Sequence, residues 1–240
     1  ATVSNNVDKY KGAGIRIQGS SLAHSKTAIT YFEEGFPIWY LRGYQVDHID
    51  PSNGKPIYKD LNNDGNITEA DQGYMGSGIP DFTYGATLSF AYKSFDLLVN
   101  GTGAYGNEIY YGIQRAIASQ QNRAQFVYDE RWTPENTNAK RASAYYNLDP
   151  NYLQSDAFVF SGSYFKIKQI QLGYNLPKSA LRLIDASEMR IYVSMDDFFT
   201  FTKYPGSDPE VRPNSTTSMS VDFGGYPAAK SVMFGVNLTF

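Results

Sequence analysis

The stretch Asp60–Asp71, DLNNDGNITEAD, carries the most specific chemistry in this chain of 240 residues. Oxygen-bearing side chains stand at loop positions 1 (Asp60), 3 (Asn62), 5 (Asp64), 9 (Thr68) and 12 (Asp71). Asn66 fills position 7, where a backbone carbonyl ligates, and Gly65 fills position 6 at the sharp turn. This is the spacing of an EF-hand calcium loop, which gathers oxygens around a hard cation. The expectation is a structural Ca2+. Mg2+ fits less well, because it dehydrates reluctantly and demands stricter geometry. Asp71 departs from the bidentate Glu usual at position 12, and a shorter acid lowers coordination or affinity. Ile67, at position 8, is expected to anchor the loop to the body beneath. The alternative is an Asx-rich turn that needs no metal. No flanking helix pair is evident for such a loop to open, so a regulatory role is not expected.

Other chemistry is sparse. Tyr110, Tyr111, Trp132, Tyr145 and Tyr146 offer flat rings suited to the apolar faces of sugars, against a background of 20 Tyr in the chain. His24 and His48 are too distant in sequence for a local metal pair. There is no nucleophile elbow, phosphate loop or dinucleotide fingerprint. Asp196 and Asp197 are adjacent on a strand and so are expected on opposite faces. No enzyme site is expected. A net charge of −3 gives no basic face for nucleic acid, and the lack of cysteine excludes disulfides and thiolate metal sites.

The elements that must position these residues read as all-β. The chain holds 15 Phe and 21 Gly alongside its tyrosines and no apolar run long enough for a membrane helix. In FTYGATLSFAYK (82–93), Phe82, Tyr84, Ala86, Leu88, Phe90 and Tyr92 share one face, with aromatics at both ends. In KSVMFGVNLTF (230–240), Val232, Phe234, Val236, Leu238 and Phe240 do the same. Aromatic girdles around an apolar band suit a lipid-facing barrel strand. Seven strands are expected: Leu22–Phe32, Phe36–Ile49, Asp81–Lys93, Ser94–Gly103, Ser163–Leu176, Glu188–Thr200 and Lys230–Phe240. The connections between them alternate short and long. All long ones (50–80 with the calcium loop, 104–162 and 201–229) therefore leave from one end of an antiparallel transmembrane β-barrel. Within 104–162, Ile109, Ile113, Ile117 and Phe126 suggest a helix that stops at Pro134. Seven strands leave open edges, which hydrocarbon does not tolerate, so further strands are expected from elsewhere. The opening ATVSNNVDKY lacks signal-peptide features; a removed signal or a piece of a longer protein is expected.

The segments GIPDFTYGATLSFAYKSFDL (78–97), RWTPENT (131–137), GSYFKIKQIQLGYNLP (162–177), FFTFTKYPGSDPEV (198–211) and DFGGYPAAKSVMFGVNLTF (222–240) resemble the C-terminal portion of SusC/RagA-type TonB-dependent transporters. The resemblance implies a 22-stranded outer-membrane barrel, of which residues 1–240 supply wall and extracellular loops but no plug. It implies partners as well: the remaining barrel and plug, outer-membrane lipids, a SusD-like lid lipoprotein and, through the plug, the TonB complex. The cargo would be oligosaccharide or peptide. On this reading the five aromatic residues above are candidate ligand or lid contacts, and Phe240 is the C-terminal signal read during barrel assembly, at the periplasmic side. The rival class is a secreted β-sandwich binding module with a dockerin-like calcium loop.

Overall fold

The computed structural model describes residues 16–21, 28–113, 124–146, 149–182, 186–210 and 215–240. Five long strands form one antiparallel sheet: β1 (Phe82–Tyr92), β2 (Phe95–Tyr105), β3 (Tyr164–Asn175), β4 (Glu188–Thr202) and β5 (Ser231–Thr239). Their order across the sheet is their order in the chain. Each is long enough to cross a bilayer's hydrocarbon at the usual barrel tilt.

The register explains the sequence alternation. One row across the sheet reads Phe90, Leu97, Leu172, Val193, Phe234, and a parallel row reads Leu88, Val99, Ile170, Met195, Val232. The adjacent row on the other face reads Thr87, Asn100, Gln169, Asp196, Ser231. The sheet is therefore apolar on one side and mostly polar on the other. The apolar side is bare: Phe234 is 84% exposed and Leu88 63% exposed. A water-soluble sheet would bury such a face, whereas lipid solvates it.

Glycines let aromatic rings lie flat on the sheet. A Cβ at Gly235 would strike the Tyr192 ring, and one at Gly103 would strike Tyr84. Rings laid over glycine recover the packing that glycine lacks.

At one end, β1 and β2 meet through the two-residue turn Lys93–Ser94, with Lys93 at a φ of 53°. At the same end, β3 and β4 are joined by residues 176–187, which include the helical turn Lys178–Leu181. Phe240 follows β5 there. Segments 106–163 and 203–230, and the chain before β1, all emerge at the other end. The expected asymmetry of loop lengths is present.

The two earliest expected strands are corrected. Residues 22–27 of Leu22–Phe32 lie outside the described residues. The remainder, with Phe36–Ile49, folds into the short strands Thr30–Phe32, Tyr40–Gly43 and Val46–Ile49. Tyr40–Gly43 is buried at every residue, which a wall strand with one lipid face cannot be. Five wall strands are described rather than about seven.

The emergent segments build a cap with its own core. A four-stranded sheet joins Ile17–Gln18, Thr30–Phe32, Tyr40–Gly43 and Gly73–Gly76. A three-stranded one joins Val159–Ser161, Glu108–Tyr111 and Val221–Asp222. Ile29 and Leu41 from before β1 pack with Tyr110, Tyr152 and Phe158 from 106–163 and Val221 from 203–230. Polar links repeat the pattern: Thr30 Oγ1 donates to the Thr217 carbonyl at 2.6 Å, and Gln154 Nε2 donates to the Ala28 carbonyl at 2.8 Å. Three loops thus share one hydrophobic core.

The start of the expected helix is also corrected. Ile109 lies in the strand Glu108–Tyr111, paired with Phe160. Residues 114–123, Ile117 among them, lie outside the described residues, and Phe126 lies in the helix Gln125–Glu130. Cross-strand pairing from a distant segment claimed the isoleucine that helical spacing had suggested.

Candidate functional site

The Asp60–Asp71 loop lies in the cap between the strands Pro56–Tyr58 and Gly73–Gly76. Gly65 has a φ of 81° and Asn63 a φ of 58°, left-handed values that Gly and Asn tolerate best. Asp60 Oδ2 accepts from the Gly65 N–H at 2.8 Å, and Asp64 Oδ1 accepts from the Asn66 N–H at 2.7 Å. Asn62 Nδ2 donates to Asp64 Oδ2 at 2.8 Å. Asp60, Asn62 and Asp64 therefore converge on the head of the loop, where exposed oxygens keep spare lone pairs.

Asp71 does something else. It is fully buried, and its carboxylate accepts from the N–H groups of Thr68 (2.8 Å), Leu61 (3.0 Å) and Asn62 (3.4 Å). Thr68 and Asp71 form a reciprocal capping box around the short turn Glu69–Asp71. These N–H donors, Thr68's foremost, hold the Asp71 carboxyl below its usual range. Its depressed pKa stabilises the loop above the ordinary carboxylate value and is lost as pH falls through the lowered one. Among the described residues no three His, Asp or Glu side chains form a ready metal cluster. Asp60, Asn62 and Asp64, at positions 1, 3 and 5, are the side chains that could hold a cation, while Thr68 and Asp71 serve the backbone.

Ile67, expected to anchor the loop, is exposed. The anchor is Arg42, which sequence spacing gave no reason to single out. Its guanidinium donates to the Gln72 side chain at 2.5 Å and to the Glu69 carbonyl at 3.0 Å. Gln72 passes the connection to Gln154 at 3.3 Å.

The five candidate rings separate by environment. Tyr110 is 1% exposed, and its hydroxyl donates to the Leu153 carbonyl. Tyr111 is buried among Phe126, Phe160 and Tyr204. Neither has a face to offer a ligand; tyrosine's large apolar area makes it core here. Trp132 is half-buried, packs on the core, and donates to the Pro51 carbonyl at 3.0 Å. Tyr146 is half-buried and packs against the same core. Tyr145 stands out from the cap, 86% exposed. Phe240 ends the outward row of β5 and is exposed.

The polar face of the sheet carries side-chain ion pairs. Arg190 pairs with Asp96 at 2.5 Å across Gly173. Asp196 accepts from the hydroxyls of Ser194 (3.0 Å) and Ser231 (3.3 Å). Asp197, at a φ of 56°, sits 3.4 Å from Lys168. The expectation that Asp196 and Asp197 take opposite faces is therefore corrected. The register steps at this point, and the left-handed backbone brings the second carboxylate to the polar side.

No protein-family model matches the chain. The TonB-dependent receptor P3 of Formosa agariphila is 32% identical over 202 residues, covering 80% of this chain and 19% of that receptor. The TonB-dependent receptor SusC of Bacteroides thetaiotaomicron aligns over 100% of this chain at 26% identity, covering 23% of SusC. The structure of the RagAB peptide transporter superposes with a TM-score of 0.72 at 19% identity, over 96% of this chain and 25% of the matched one. The chain belongs to the SusC/RagA-type TonB-dependent transporters. It spans about a fifth to a quarter of the relatives it matches. Members of this type are outer-membrane transport proteins rather than enzymes. A bare apolar face opposite a polar one is what a barrel wall with a lipid side and an interior would present.

Proposed function

We propose that this chain is a wall and cell-surface segment of a TonB-dependent importer in the bacterial outer membrane. Its cap faces outward, and Phe240 lies at the periplasmic end. The importer carries oligosaccharide or peptide and works with a SusD-like lid. A plug and further strands of the same transporter complete the barrel, and the TonB complex acts through that plug. The observation that carries the reading is the pairing of a bare apolar face with long connections gathered at one end. The secreted β-sandwich would need a second sheet over the apolar face, and none covers it among the described residues.

Affinity purification of the whole transporter from native membranes, followed by mass spectrometry, tests the partnership. The expected result is a stoichiometric surface lipoprotein and an intact polypeptide several times longer than this chain. Recovery from the soluble fraction without a membrane partner would count against it. The open edges β1 and β5 lead to a related expectation. Expressed alone in detergent, the 240-residue chain should aggregate or associate. A folded, monodisperse monomer on size exclusion would contradict the wall assignment.

For the cation loop we propose an occasional structural Ca2+ held by Asp60, Asn62, Asp64 and the Asn66 carbonyl. Extracellular sites of this kind bind in the range of about 10⁻⁴–10⁻³ M, so the ion would come and go with the medium. Converging oxygens at positions 1, 3 and 5 support the reading. In Asp60→Ala with Asp64→Ala, segment 50–80 should become protease-sensitive and lose its response to calcium. Equal resistance of the parent in calcium and in chelator would refute an ion at this site.

A further inference from the structure

Lys166 lies on the interior face of β3, between Thr102 of β2 and Thr200 of β4. It is 2% exposed, although that face of an open sheet should be wet. The cover comes from the segment that follows β4. Lys166 Nζ contacts both oxygens of Asp208 at 2.8 and 2.9 Å and Glu210 Oε2 at 2.6 Å. Lys168 Nζ meets the same Glu210 oxygen at 2.5 Å. Tyr164 donates its hydroxyl to Glu210 Oε1 at 3.1 Å. The return arm joins in, with the Ala228 N–H donating to Asp208 Oδ2 at 3.4 Å.

The wall is shaped to receive this segment. Lys166 and Lys168 share the interior face by alternation. The register step after Lys168 lets Gln169 and Gln171 continue that face, and the irregular backbone at Asp197 adds a third carboxylate beside Lys168. Bulges of this kind re-aim side chains without ending the strand pairing. The other end of the segment is held in the cap, where the buried Tyr204 donates to Asp222 Oδ2 at 2.5 Å.

We propose that Tyr204–Glu210 is a fixed strap, folded into the mouth of the complete barrel and fastened to its inner wall by Lys166 and Lys168. The mouth is then narrowed by a permanent element that cargo must pass, rather than by a swinging loop. The charges explain the permanence. A buried ammonium left without its carboxylates is strongly unfavourable, so Lys166 and the strap acids are obligate neighbours. The inference rests on reading the sheet as a barrel wall, but not on import.

The test uses the complete transporter in outer-membrane vesicles, with spin labels on Ser207→Cys in the strap and Thr87→Cys on the interior face as its only cysteines. The expected result is one narrow distance distribution. Asp208→Asn with Glu210→Gln should abolish the narrow peak while the barrel keeps its folded mobility on unboiled gels. Should that double variant fail to fold, the same two changes combined with Lys166→Met, which removes the stranded ammonium, are read the same way. A broad distribution in the parent, or a narrow peak that survives loss of the acids, overturns the proposal. Either outcome leaves the importer reading standing, and failure to import leaves the strap result valid.

Discussion

Val99→Arg prevents the transporter from assembling as a folded barrel, whereas Asn100→Arg, its immediate neighbour, is tolerated. Val99 lies mid-strand on the apolar face, between Leu88 of β1 and Ile170 of β3. Asn100 lies on the interior face, between Thr87 and Gln169. A guanidinium on the lipid face at mid-depth costs about 2–4 kcal/mol, while one facing the lumen stays in water. Heat-modifiable migration of the full-length transporter on unboiled gels reads both variants directly. Equal assembly of the two would mean that the bare face does not meet lipid, and the wall assignment would fall.

Phe158→Ala detaches the cap and leaves the wall standing. Phe158 is 1% exposed and lies against the rings of Tyr152 at 5.2 Å and Tyr110 at 6.4 Å. The Arg141 guanidinium lies 5.8 Å from the ring centre. Truncating such a core ring costs about 3–5 kcal/mol, a large part of what a unit this size has to lose. The core draws on three connections, so all three should become protease-sensitive together: the chain before β1, segment 106–163 and segment 203–230. The five-stranded sheet, held by its own ladders, should keep its unboiled mobility. Cleavage confined to 106–163 would show that the cap is three loops rather than one cooperative body.

These two expectations separate what could be read along the chain from what could not. Wall strands have period-2 alternation that survives without any partner, because lipid on one side and water on the other impose it residue by residue. β1 and β5 were legible for that reason, and so was the side on which the long connections lie. The cap was not legible. Tyr40–Gly43 is buried on both sides, Ile109 is claimed by Phe160, and Tyr110 lies under Leu153; each placement depends on a segment far away in sequence. Tyrosine marks girdle, core and exposed ring alike, so composition alone could not sort Tyr110 from Tyr145.

The loop that opened the chain's chemistry divides in the same way. Sequence by itself determined the turn: Asp60, Asn62, Asp64 and Gly65 bend the backbone through local hydrogen bonds that need no distant partner. The tertiary structure decided what surrounds it. It turned Asp71 from the twelfth position of an ion loop into a buried cap, exposed Ile67, and gave the anchoring role to Arg42. It also drew Asp208 and Glu210 onto Lys166, a contact over more than forty residues of sequence separation that no local pattern announces. Local periodicity and turn chemistry are written in neighbouring residues. A buried charge and a shared core are settled only when distant segments compete for the same space and the same hydrogen bonds.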